Sequence, residues 1–208
     1  MNVLENYKKI INSIRNISSN ASLIVACKNQ TMDSIQILLD YGHVHFAENR
    51  VQEAKIKWSN FNVKNIQLHF IGGLQSNKAE QAFQIFNYIH SLDSEKLAQT
   101  FSNLEAASKK KINYFVQVNI GDEYQKNGIN ISEVSNFVNY CIRDLKLNIL
   151  GLMCLPPVSQ NPESYFLKLK QLNISNKLKE LSMGMSNDFE TAVKCGSTFV
   201  RVGSAIFK

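Results

Sequence analysis

Lys28 ends the apolar run Leu23-Ile24-Val25-Ala26-Cys27, and two small-residue segments lie far along the chain, Ser182-Met183-Gly184-Met185-Ser186 and Arg201-Val202-Gly203-Ser204-Ala205. In each segment an apolar run gives way to small, polar, glycine-containing residues. A backbone of that kind can approach an anion closely and offer it N–H groups. An amine at a strand end, paired with an anion cradle, suits a phosphorylated aldehyde held as an imine. Pyridoxal 5'-phosphate (PLP) is the obvious compound of that description.

Those residues need a scaffold, and the apolar periodicity supplies one. Leu4, Tyr7, Ile10, Ile11 and Ile14 recur at spacings of three and four, which predicts an amphipathic helix over 3–17. After it, strands are predicted at 23–26, 43–46, 67–71, 88–90, 112–120, 147–153, 181–183 and 198–202. Helices are predicted from Met32 with Thr31 as N-cap, then at 51–58, 78–86, 94–109, 131–144, 163–172 and 189–195. Alternation of this kind implies a parallel sheet. Eight strands suggest closure into a (β/α)8 TIM barrel, a single domain over 1–208 with an extra N-terminal helix. The alternative is an open, doubly wound sheet. No G-x-G-x-x-G follows the first strand, which argues against its dinucleotide-binding form.

A barrel of this class builds its site where strands end. Lys28 follows the first strand, Glu48 and Asn49 the second, and Gly72, Gly73 and Gln75 the third. His90 and Ser91, Asn119, and Met153 fall at the ends of the fourth, fifth and sixth. Ser182 lies in the seventh, and Gly203 with Ser204 closes the eighth, the two positions where such barrels often bind phosphate. Alternation puts Ile24, Ala26 and Lys28 on one face, with Val25 and Cys27 on the other. If the first face lines the barrel, Lys28 rises into its mouth, where apolar walls would strip its hydration and free its amine. From position alone, a surface lysine capping a strand end is the commoner case. Arg201 shares a face with Phe199 and Gly203; buried there, it needs a partner such as Glu48 or a ligand acceptor. A protonated arginine facing a pyridine nitrogen would leave that nitrogen unprotonated and weaken the ring as an electron sink.

Other residues read more plainly. His43 and His45 share a face and look like a metal pair, but the next strand offers only His69, so a structural role is the better reading. Met153, Met183 and Met185 suit packing, with Met185 able to lie beside a ligand ring. Trp58 suits helix-to-barrel packing. Lys126 is a loop lysine at the same mouth, solvated or a secondary ligand contact. The four cysteines, Cys27, Cys141, Cys154 and Cys195, form no C-x-x-C pair. With no basic start or apolar core at the N-terminus, no export signal is read, and reduced thiols in a cytoplasm are expected.

At 44% hydrophobic and 19% charged residues, the 208-residue chain is that of a globular domain. No apolar run approaches the roughly 20 residues of a membrane span. A formal charge of +6 and a pI near 9.1 raise nucleic-acid binding. Yet the lysines are scattered, and the one dense run, Lys109-Lys110-Lys111, suits a solvated helix end.

The segments Val25-Ala26-Cys27-Lys28, Phe46-Ala47-Glu48-Asn49, His69-Phe70-Ile71-Gly72, Leu74-Gln75-Ser76-Asn77-Lys78 and Ile89-His90-Ser91 stand in a specific order with the two C-terminal segments. In that order the chain, from about Leu23 to Phe207, resembles the pyridoxal phosphate homeostasis proteins, which look like the N-terminal barrel of alanine racemase standing alone. The resemblance implies that Lys28 holds PLP as a Schiff base, that Asn49 lies near its ring, and that Arg201 faces its pyridine nitrogen. It implies that Ser182, Gly203 and Ser204 bind the phosphate, with main-chain help from Met183 and the hydroxyl of Ser186. The implied role is to bind and deliver the cofactor within the cell, as a monomer, without turnover, to PLP-accepting apo-enzymes. Arg50 departs from the usual Tyr, Gly73 from a usual His and Ser204 from a usual Thr, and the chain stops at Lys208, short of the family's tail.

A PLP-dependent racemase or decarboxylase on the same barrel is the competing enzyme reading. A racemase needs a second base, which alanine racemase takes from a further domain that is not expected here. Tyr124 or His90 would have to replace it. A nucleic-acid-binding protein is the third reading, and it would show steeply salt-dependent binding.

Overall fold

Eight parallel strands close on one another in chain order, the last pairing with the first. The computed structural model describes residues 2–59, 65–123, 127–157 and 160–208. The strands are β1 (Ser22–Ala26), β2 (His45–Glu48), β3 (Gln67–Phe70), β4 (Tyr88–Leu92), β5 (Asn113–Val118), β6 (Asn148–Cys154), β7 (Glu180–Ser182) and β8 (Phe199–Val202). Among the described residues the α-helices are α1 (Val3–Ile17), α2 (Met32–Asp40), α3 (Val51–Trp58), α4 (Ala79–Ile85), α5 (Glu95–Ala107), α6 (Val134–Asn139), α7 (Pro162–Ser175), α8 (Phe189–Lys194) and α9 (Ser204–Phe207). This is the (β/α)8 barrel that the alternation predicts, with α1 as the extra helix.

Local chemistry sets the helix starts. Asn2, Thr31, Ser94 and Asn161 each accept a first-turn N–H at the starts of α1, α2, α5 and α7, and Pro162 opens α7. α1 buries Tyr7, Ile10 and Ile14, and the Asn6 amide donates to the Ile206 carbonyl of α9 at 3.1 Å.

The strands separate two interiors. Outward-facing Val25, Cys27, Phe46, Leu68, Phe70, Val116 and Val200 join the helices in one apolar cluster. The inward side is filled by rings. Phe199 sits amid His45, His69, Tyr88 and Phe115, with centroids 5.8 to 6.3 Å away. His69 stacks on Tyr88 at 4.1 Å and His90 on Phe115 at 4.4 Å. Closure pairs Ile24 with Arg201 and Val25 with Val202, so the ends of β1 and β8 meet at the mouth. Gly203 makes that approach possible, because a Cβ there would lie 2.8 Å from the Ala26 carbonyl oxygen.

Several boundaries depart from the sequence expectation. β2 starts at His45, because His43 belongs to the turn that ends α2. Its N–H donates to the Leu38 carbonyl, across Gly42 with φ +91°. β4 runs on to Leu92 through a register shift against β5. The predicted 131–144 helix is a 3-10 turn, then α6, then a π-helical stretch over Tyr140–Asp144. α9 is too short to leave a periodic signal. Lys110 does not end its own helix. Its ammonium donates to the Phe83 and Gln84 carbonyls, where it caps the C-terminus of α4.

His43 is buried, with its Nδ1 accepting from the Tyr7 hydroxyl at 3.1 Å and its Nε2 donating to the His45 carbonyl at 2.8 Å. Burial pushes its pKa down to about 4. Between the ordinary value near 6.5 and that value, the unfolded chain binds a proton that the folded chain does not. Stability is therefore whole above about pH 6.5 and falls as the pH drops towards 4, by up to about 3 kcal/mol for this group. Urea unfolding at pH 7 and pH 4.5 should give a clearly lower midpoint in acid, and equal midpoints would contradict a neutral buried His43.

A lysine-bearing cavity at the barrel mouth

A cavity of about 900 Å³ opens at the C-terminal ends of the strands. β1 delivers Ala26 and Lys28 to its wall, β2 Ala47 and Asn49, and β8 Arg201, followed by Gly203 and Ser204. Lys28 and Arg201 thus line the mouth, while Cys27, on the opposite face of the strand end, is sealed in the outer core. Lys28 is exposed within the cavity, not enclosed by apolar walls, and among the described residues its ammonium makes no ion pair or hydrogen bond.

Asn49 is held by a close approach. Gly72, after β3, packs so tightly that a Cβ there would fall 2.1 Å from the Asn49 carbonyl oxygen. The Asn49 Oδ1 is buried with no hydrogen-bond partner. Arg50 points to solvent and pairs with Glu53 at 3.0 Å.

Arg201 is 4% exposed. Glu48, one partner expected for it, faces the other way. Its Oε1 accepts from Lys57 Nζ at 2.7 Å and Trp58 Nε1 at 3.2 Å, tying β2 to α3. Burial raises the Glu48 pKa, with Lys57 opposing. Arg201 instead donates from Nη1 to the Ser182 carbonyl at 2.7 Å and hydroxyl at 2.5 Å, and from Nη2 to the Cys154 carbonyl at 3.0 Å. Burial lowers its pKa to about 10, partly offset by Cys154 and Asp188, and it stays protonated at neutral pH.

The residues expected at a phosphate divide into two groups. Ser186, Gly203 and Ser204 come together on the cavity wall. The Ser186 Oγ accepts from the Gly203 and Ala205 N–H groups at 3.4 and 3.3 Å. Ser182 and Met183 lie behind that wall, fully buried. The Ser182 hydroxyl is taken by Arg201 and His90, and the Met183 N–H donates to the Phe199 carbonyl at 3.2 Å. Met153 is buried in the barrel, and Met185 is 41% exposed on the wall. Tyr124 and Lys126 lie outside the described residues.

Sequence reasoning passed over a hydrogen-bonded line of histidines inside the barrel. His45 Nδ1 meets His69 Nε2 at 3.0 Å, His69 Nδ1 meets His90 Nε2 at 2.9 Å, and His90 Nδ1 meets the Ser182 hydroxyl at 2.8 Å. The rings bind each other instead of converging on a point, and no metal-holding cluster exists among the described residues. Alternation gives each histidine an inward position on its own strand, but closure of the barrel is what makes them neighbours.

A lysine at the mouth of an eight-stranded barrel, in one cavity with a buried arginine, defines a class. The model of the alanine racemase N-terminal domain matches residues 3–208, and the chain belongs to that family. Among its relatives are pyridoxal phosphate homeostasis proteins. That of Pasteurella multocida (strain Pm70) is 33% identical over 217 residues, spanning 99% of this chain and 93% of the relative. PipY of Synechococcus elongatus PCC7942, solved without PLP, superposes with a TM-score of 0.92 at 28% identity, covering 99% of this chain and 100% of that one. The structure of PipY with PLP bound superposes at 0.90, with the same identity and coverage.

The Gly72 contact yields a direct test. Gly72→Ala must push the loop after β3 off the Asn49 backbone, with a cost of about 1–3 kcal/mol. Urea unfolding measures it, and an unchanged midpoint would show that the loop yields freely.

Proposed function

We propose that this chain binds pyridoxal 5'-phosphate at the barrel mouth and serves its homeostasis without catalytic turnover. The observation that carries the reading is the uncommitted Lys28 amine, set in one cavity with a protonated Arg201 and the Ser186–Gly203–Ser204 wall. The fit rests on two further features. The Asn49 Oδ1 is a buried polar atom without a partner, on the wall where a ring substituent would pass. The N–H groups of Gly203 and Ala205 make only long bonds to Ser186, and an anionic oxygen placed there would take the same donors.

When bound, the cofactor supplies an aldehyde carbon that condenses with an amine, releasing water. Lys28 provides the amine. Ile71 and Met185 line the cavity and would provide apolar walls for a ring, and Ser204 would add a hydroxyl to the phosphate site. Arg201 has N–H donors beyond those given to Ser182 and Cys154 and would offer one to the ring nitrogen, which would leave that nitrogen unprotonated and the ring a poor store for carbanion electrons. That arrangement favours holding the cofactor over using it.

The enzyme reading loses one of its two candidate bases. His90 is fully buried, with both ring nitrogens engaged, and it is no part of the cavity wall. We place the protein in the cytoplasm as a monomer, with PLP-accepting apo-enzymes as recipients. The names of the relatives support a role in handling PLP, and no helix among the described residues is long and apolar enough to cross a membrane. The basic residues are partly committed: Lys57, Lys110 and Lys111 all hold internal partners, and specific nucleic-acid binding is not proposed.

The test is a visible spectrum with added PLP, before and after borohydride, followed by peptide mapping. A band that bleaches and leaves the label on Lys28 is expected, and label spread over surface lysines would defeat the reading. Lys28→Ala should lose the reducible label while its circular dichroism stays native; a label surviving in that variant would move the attachment elsewhere. Ser204→Ala should weaken binding only severalfold, because main-chain amides share the phosphate load. A loss of a hundredfold or more in titration would mean that the hydroxyl dominates. Solvent exchange of the α-hydrogen of added amino acids should stay at the level of free PLP, and faster exchange would restore the enzyme reading.

A further inference from the structure

The line of side chains Arg201, Ser182, His90, His69 and His45 crosses the barrel from the mouth to the start of β2, where His45 is partly exposed. Each contact is short enough to require one donor and one acceptor, and one end of the line is unambiguous. Arginine has only N–H groups. Arg201 Nη1 therefore occupies a lone pair of the Ser182 Oγ. Among the described residues the Ser182 hydrogen then has one acceptor, His90 Nδ1. A neutral His90 must carry its proton on Nε2 and donate it to His69 Nδ1. His69 must in turn donate from Nε2 to His45 Nδ1, and the His45 Nε2–H is left for solvent. The reverse sense would aim two donors at the Ser182 Oγ and strand its own hydrogen in a site with no exposure.

We propose that these side chains form one directional hydrogen-bond chain whose sense is set by Arg201, and that His90 and His69 are positioning residues for the guanidinium. Among the described residues no carboxylate bonds to Arg201 or to any of the three rings. The aligned dipoles meet the cation where a bonded carboxylate would, while Asp188, on the cavity wall with its Oδ1 accepting from the Met185 N–H, acts on it only through space. A carboxylate would cancel the positive charge and take the donors left on Nη2 and Nε. The chain leaves both charge and donors at the cavity floor. The groups facing the rings agree with a neutral chain. Burial, and then Arg201, lower the His90 pKa, burial with the neighbouring imidazoles lowers that of His69, and Tyr88 stacks on His69 without a charge. His43 bonds to the His45 carbonyl and adds slightly to the lowering of the His69 pKa.

The chain itself stands without any ligand; its effect on binding rests on the PLP reading above. The first test is therefore made on the cofactor-free full chain, by 15N NMR of the histidine side chains. His45, His69 and His90 should all be neutral Nε2–H tautomers near pH 7, and a neutral Nδ1–H or a charged ring among them would overturn the proposal. Arg201→Met, checked as folded by circular dichroism, should show Nδ1–H on at least one ring. Three unchanged tautomers there would mean that Arg201 does not set the sense. For positioning, His90→Phe keeps the stack on Phe115 and loses both ring nitrogens. It should weaken PLP binding about tenfold, the scale of one lost hydrogen bond in a charged network. His90→Gln, which can accept from Ser182 and donate to His69, should restore most of the affinity. Equal binding by natural, Phe and Gln forms would overturn the positioning role. If the natural chain shows the expected tautomers and binds no PLP, the directional chain stands and the cofactor reading falls.

Discussion

A guanidinium enclosed by a parallel barrel must be solvated by the barrel itself, and much of this structure follows from how that is done. Two carbonyls and one hydroxyl receive Arg201, from the ends of β6 and β7. Taking those acceptors fixes where the two strands finish. It also commits Ser182 to the interior and obliges the space below to hold groups that continue the hydrogen bonding. Imidazoles meet that demand in a way that apolar side chains could not, and aromatic neighbours fill the volume between them.

The barrel therefore has two interiors of different character. The outer one, between strands and helices, is apolar and supplies the burial that stabilises the fold. The inner one is a column of stacked and hydrogen-bonded rings with a cation at its top. The strand is the partition, and its period of two decides which interior each residue joins. Lys57 and Glu48 show the outer side accepting charge only as a pair, with the carboxylate bonded by Trp58 as well.

Much of this was legible in the sequence. The bounds of α1 and α3 follow from apolar spacing, and Thr31 and Ser94 declare the starts of their helices. Alternation groups Lys28 with Ile24 and Ala26, and Arg201 with Phe199 and Gly203, but the closed barrel is what turns those faces to the cavity. Alternation does not give depth, however. Ser182 and Ser186 are both small, polar and four residues apart, yet one serves the interior and the other the wall. Nor does spacing announce the histidine line. Its members are 24 and 21 residues apart, about one strand and helix each, and only closure of the barrel makes them neighbours. His43 misled because a pair of histidines at period two resembles a strand, whereas the glycine beside it had already ended α2 in a turn.

Lys28 and Cys27 are adjacent in sequence, and both are nucleophiles that an aldehyde would attract. Only the amine is offered to the cavity. Burial and the nearby Glu48 push the Cys27 thiol well above its ordinary pKa, and the strand turns its sulfur to the far side. The backbone thus acts as chemical insulation one residue thick. A thiol at the mouth would trap aldehydes as hemithioacetals and compete with the lysine. Here that side reaction is forbidden by the parity of a single position, without any residue devoted to preventing it.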